Sequence, residues 1–168
     1  ENGNGFFNEN SCHLFDAVCS LMGDPVSLTA EAIGPLDRPS EQGATITLRF
    51  AGGSIAALTV GCLGAGAFHD YPRIDLMTVK GQAHLHGRDH IWNRLTWALR
   101  GDEATQEIEL PPEALGTTRY THGMRHFIQC VRNGQAPSTG VEAGVRTVAM
   151  AMAVYESART GAKVDLSW

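Results

Sequence analysis

The sequence predicts an α+β domain built on a large, predominantly antiparallel open sheet with helices packed on one face. Three observations carry that expectation. Apolar residues recur at spacings of three and four near both ends of the chain; the stretch between alternates with period two in roughly seven or eight short runs; and those runs are joined mostly by tight turns rather than helical crossovers. At 168 residues with 43% apolar positions, the chain is long enough for one substantial core and short for two.

The first helix is expected over 11–22, where Leu14, Val18, Leu21 and Met22 make an apolar stripe, and Gly23-Asp24-Pro25 stops it. From Val26 the period becomes two, with Val26, Leu28, Ala30 and Ala32 on one strand face. After a polar loop at 36–42, Ile46, Leu48 and Phe50 alternate with Thr45, Thr47 and Arg49. Ala51-Gly52-Gly53 then turns the chain into a small-residue strand at 54–63, giving a hairpin. Further strands are expected at 71–80, 83–86, 91–100 and 105–110. Two long helices follow at 120–132 and 141–160, and a short strand closes the chain. Strands 54–63 and 91–99 carry apolar residues at both parities, with Trp92 and Trp97 on opposite faces. A sheet apolar on both sides needs a second layer, so a homodimer formed through the open face is expected.

Charge and composition exclude several function classes. The net charge is −5 and the 13 basic residues are dispersed, so nothing resembles a phosphate-backbone footprint. Apolar runs fall well short of the roughly 20 residues that cross a bilayer, and Glu1 to Gly5 carry no basic segment leading into an apolar stretch, so no export signal is expected. A soluble, cytoplasmic protein is expected. Cys12, Cys19, Cys62 and Cys130 form no CxxC pair and read as reduced, small core residues.

The densest group of reactive types is Glu9, His13 and Asp16, at i, i+4 and i+7, which a continuous helix would place along one face. A carboxylate beside an imidazole suits proton transfer near neutral pH. The competing explanation is a capped helix start, with Asn10 or Ser11 satisfying orphan N–H groups. His84, His86 and His90, and the pair His122 and His126, could suggest metal ligation, but neither group has an obvious third ligand and no H-E-x-x-H occurs. No metal is expected.

The run from Gly3 through Glu9 and His13 to Asp16, followed by a helix ending at Gly23-Asp24-Pro25, resembles the opening of the C-terminal domain of the Gfo/Idh/MocA oxidoreductases, the glucose-fructose oxidoreductase and inositol dehydrogenase family. Phe50-Ala-Gly-Gly53 is similar to the family's glycine hairpin, and Phe127 through Gly134 to Pro137 to its helix-to-loop segment. The closing stretch from Gly140 to Gly161 is similar too, so the likeness covers nearly the whole chain in family order. It implies a two-domain enzyme whose Rossmann half binds NAD or NADP while this half closes over a sugar, cyclitol or related polyol. It also implies that His13 is the catalytic proton acceptor, that Glu9 orients it or binds a hydroxyl, and that Asn10, Tyr120 and His122 contact substrate. Neither a GxGxxG opening a βαβ unit nor the family's Glu-Lys-Pro motif is present. Residues 1–168 are therefore expected to be the C-terminal substrate and dimerisation domain, inactive without a missing N-terminal Rossmann domain. A non-catalytic ligand-binding or dimerisation module of the same fold is the alternative.

Overall fold

The computed structural model describes residues 6–34, 41–62, 71–88, 91–109 and 118–168. The glycine-rich opening at 1–5, most of the polar loop at 36–42, and His90 lie outside them. The chain divides into two compact units, one comprising Glu1–Leu63 with Ser138–Trp168 and the other Gly64–Pro137.

In the first unit a single helical turn, α1 (Phe6–Glu9), leads into α2 (Ser11–Met22). Strands β1 (Pro25–Ile33), β2 (Gly43–Phe50) and β3 (Ile55–Gly61) follow. The second unit holds β4 (Arg73–Thr78), β5 (Gly81–Arg88), β6 (Ile91–Leu99), β7 (Gln106–Glu109) and α3 (Thr118–Asn133). The chain then returns to the first unit with α4 (Val141–Thr160) and β8 (Val164–Asp165). The α+β class and the antiparallel pairing are as expected. The strands fall into two four-stranded sheets, ordered β3-β2-β1-β8 and β4-β5-β6-β7, where the sequence suggested one large sheet.

Period-two alternation explains the core of the first unit. The cross-strand rows Ala56–Leu48–Leu28–Val164 and Leu58–Ile46–Ala30 lie on one sheet face, and Leu28, Ile46 and Leu48 are fully buried. Helix α4 packs on β1 and α2 packs on α4. Helix α4 contributes Thr147, Met150, Ala151, Val154 and Ser157, a set spaced at helical period. Its end is set by Gly161, whose φ of 68° is left-handed and whose N–H reaches the Ser157 carbonyl at 2.8 Å.

Two expected faces are corrected. On β1, Pro25 pairs with Phe50 and Ser27 with Arg49, so Val26 is the extra residue of a bulge and is 38% exposed, not inward. On α2 the buried residues are Ser11, Phe15 and Val18, while Leu21 is half exposed. The stripe is rotated because Phe15, the bulkiest apolar side chain of that helix, takes the core position. The cysteines also divide: all four are free, Cys130 is buried, Cys12 and Cys19 are half-buried, and Cys62 is exposed instead of lying in a core.

The first sheet's outer face is rich in threonine, with Thr29, Thr45, Thr47 and Thr59 exposed beside Glu31 and Arg49. The second sheet is amphipathic. One face carries the rows Ile74–Leu85–Leu95–Ile108 and Leu76–Ala83–Trp97, and the other Arg73–His86–Arg94–Glu109 and Asp75–His84–Thr96–Glu107.

Candidate active site

The Glu9-to-His13 stretch is the junction of two helices, not one continuous helix, and Asn10 between them keeps right-handed helical backbone angles. Helix α1 ends at Glu9, Asn10 is the turn residue, and α2 begins at Ser11. The His13 N–H reaches the Asn10 carbonyl at 3.3 Å, and the Cys12 thiol lies 3.4 Å from the Glu9 carbonyl. The side chains of Glu9, Asn10 and His13 are all exposed, and Asp16 is half-buried. Among the described residues Glu9 and His13 make no hydrogen bond to each other.

The capping explanation of this segment finds little footing. Asn10 makes no side-chain cap bond, and the buried Ser11 Oγ has no hydrogen-bond partner among the described residues.

What holds the corner lies beneath it. The Phe7 side chain is fully buried, with its ring 5.2 Å from that of Tyr155 on α4. The Phe7 N–H donates to Glu41 Oε1 at 2.8 Å, and the Tyr155 hydroxyl donates to the same oxygen. Burial, then the hydrogen bond and negative charge of Glu41, push the Tyr155 hydroxyl well above the ordinary tyrosine range, so it keeps its proton. Sequence reasoning missed both residues. Glu41 lies at the end of a polar loop, where acids are usually solvated, and Tyr155 is the lone aromatic of its helix.

Tyr120 and His122 stand on α3 in the second unit, and both are exposed. Two residues apart on a helix, they project from different sides of it. On the second sheet's polar face, Asp75 Oδ1 lies 2.5 Å from His84 Nδ1 while Arg73 Nε contacts both Asp75 oxygens. The His84 bond, then that of Arg73, lowers the Asp75 carboxyl below the usual aspartate range. Sequence reading paired His84 with His86 but overlooked Asp75. The two-residue turn at Val79 and Lys80 sets Thr78 opposite Gly81 and hence Asp75 opposite His84, which was the available signal. No group of three or more His, Cys, Asp or Glu side chains suited to a metal occurs among the described residues, and none of the described helices is long and apolar enough to cross a membrane.

An α+β sheet domain carrying an exposed carboxylate, amide and imidazole on one pinned corner is the class of structure these observations define. The sequence matches, over residues 1–166, the family described as the oxidoreductase family, C-terminal alpha/beta domain. The chain belongs to the Gfo/Idh/MocA oxidoreductase family, in its C-terminal domain.

Solved structures agree in fold. Levoglucosan dehydrogenase in complex with NADH and levoglucosan superposes with a TM-score of 0.83 at 17% identity, over 98% of this chain and 51% of that one. An oxidoreductase from Agrobacterium radiobacter in complex with NAD+, L-tartaric acid and magnesium gives 0.76 at 23%, over 94% and 48%. The WlbA dehydrogenase from Bordetella pertussis with NADH and UDP-GlcNAcA gives 0.72 at 21%, over 98% and 47%. The chain thus spans about half the length of these structures. The sequence matches no curated protein.

Proposed function

We propose that this chain is the substrate-side domain of an NAD(P)-dependent dehydrogenase that oxidises a CH–OH group of a sugar, cyclitol or related polyol. The observation that carries the reading is the corner itself: Glu9, Asn10 and His13 are exposed together on a turn whose underside is locked into the core. Family membership and the dehydrogenase relatives of the same fold support it. His13 accepts the proton of the substrate hydroxyl. Glu9 orients the imidazole or binds a neighbouring hydroxyl, and Asn10, Tyr120 and His122 add hydrogen bonds to the polyol.

The described residues do not themselves fit a dinucleotide. Every strand pairing among them is antiparallel, so they contain no parallel βαβ unit whose turn could cradle a pyrophosphate. NAD or NADP is held mainly by a separate N-terminal Rossmann domain, and this chain alone is inactive. Bound there, the cofactor would supply hydride acceptance; the roles given to this chain's residues are confined to proton transfer and hydrogen bonding. The enzyme works in the cytoplasm and associates as a homodimer through its sheet, a reading supported by the half-buried apolar rows of the second sheet.

The test is turnover of the full-length protein with NAD and NADP on a panel of sugars and inositols, beside His13→Ala. A fall in kcat of about a hundredfold or more with cofactor binding retained is the expected result, the usual range for loss of a general base. Turnover indifferent to His13 would refute the assignment and favour a binding module.

A further inference from the structure

We infer that Glu41 and Tyr155 are positioning residues for the Glu9–His13 corner, acting through the backbone of α1. The inference rests on the functional reading above. Glu41 is 3% exposed, its Oε1 accepts both the Phe7 N–H at 2.8 Å and the Tyr155 hydroxyl, and its Oε2 is buried without a partner among the described residues. A carboxyl in that setting is costly, and an apolar side chain in its place would leave the Phe7 N–H and the Tyr155 hydroxyl without their acceptor. Phe7, whose N–H Glu41 accepts, is itself fully buried in the same core cluster as Phe15, Met150 and Val154. A role other than packing accounts for the acid.

That role follows from what α1 lacks. It is a single turn of four residues, too short to hold itself, since the first turn of a helix orders several residues for one hydrogen bond. Its leading N–H groups also have no partner inside the helix. Glu41 supplies an acceptor at Phe7, placing negative charge near the start of the turn, where it is favoured. The Tyr155 hydroxyl fixes that carboxyl from α4, a 20-residue helix anchored in the core. Glu9 lies two residues beyond Phe7, and the Asn10 carbonyl then receives the His13 N–H. The chain of contacts runs from α4 through one carboxylate oxygen to the corner. The direction in which Glu9 and His13 are presented therefore depends on two hydrogen bonds that neither residue makes.

The test compares Glu41→Leu, Glu41→Gln and Tyr155→Phe in the full-length protein. Leucine roughly keeps the volume and removes both acceptors; glutamine keeps one oxygen for both donors; phenylalanine keeps the ring against Phe7 and removes one bond. We expect Glu41→Leu to lower kcat about tenfold or more with KM for the dinucleotide unchanged, Glu41→Gln to restore most of that loss, and Tyr155→Phe to fall between. Amide exchange at Phe7, Glu9 and His13 should quicken about tenfold in Glu41→Leu while Leu48 in β2 stays protected. If Glu41→Leu fails to fold, the same local exchange and kcat measurements on Tyr155→Phe decide the matter. Wild-type kcat with unchanged exchange at Phe7 would overturn the inference, and so would exchange that quickens equally at Phe7 and Leu48. Turnover that survives His13→Ala counts against the functional reading instead, and local exchange at Phe7 still decides whether Glu41 holds the corner.

Discussion

Ser157 joins α4 to the sheet through one hydroxyl, and replacing it with alanine has a cost that the structure lets us work out. Strand β8 is only two residues long and pairs with Ser27 and Leu28, so beyond Leu28 that side of β1 has no neighbouring strand among the described residues. The Ala30 N–H finds Ser157 Oγ there at 2.9 Å, and the same hydroxyl donates to the Ala162 carbonyl at 2.7 Å. Ser157 is 1% exposed and Ala30 5%, so water cannot readily replace the lost acceptor. Ala162 is exposed, and its carbonyl can be solvated. The buried N–H therefore dominates, at about 1–3 kcal/mol for a donor left unsatisfied. In urea unfolding with a slope of about 2 kcal/mol per molar, Ser157→Ala should lower the midpoint by about 0.5–1.5 M without altering the slope. The control is Thr160→Ala, whose exposed hydroxyl donates to the Glu156 carbonyl within α4 and accepts from the Ala162 N–H just beyond its end. It should stay within about 0.5 kcal/mol of wild type. A Ser157→Ala midpoint indistinguishable from that control would show that the β1 edge is not held by this bond.

Two further predictions concern pH. Because the Tyr155 hydroxyl is raised in the fold, its contribution is fully present below the ordinary tyrosine value of about 10 and declines as pH rises above it; Tyr155→Phe should flatten that alkaline loss in thermal unfolding, and an unchanged slope would remove Tyr155 as its cause. Asp75 behaves oppositely: lowered in the fold, its carboxylate contributes above the ordinary value of about 3.9 and ceases to as pH falls through its own lower midpoint. Carboxyl NMR should place that midpoint below the ordinary value, and His84→Ala should move it back up, since the His84 bond is its largest cause.

Much of the fold was legible because strands and helices write their period into the sequence. Ile46, Leu48 and Phe50 alternate with polar residues and are buried as read, and the stops at Gly23 and Gly161 sit where left-handed φ of 81° and 68° ends each helix. The failures were events that shift phase without changing composition. One extra residue at Val26 reverses which face it occupies. On β6, His86 pairs with Arg94 and Gly87 with Trp92, so Asn93 is a second such residue, invisible to a reading that assumes strict alternation.

The site divides along the same line, and the division bears on how it works. Glu9 and His13 were singled out because acid and imidazole at a spacing of four are a chemical signal, yet the two make no hydrogen bond across the helix junction at Asn10. Glu41 and Tyr155 lie 34 and 148 residues from Phe7 in the chain. No local pattern joins them. A corner whose exposed groups are local and whose supports are distant can exchange its substrate contacts while keeping its geometry. Variation in specificity should thus fall on Asn10 and the exposed face, and loss of turnover without loss of folding on Glu41 and Tyr155.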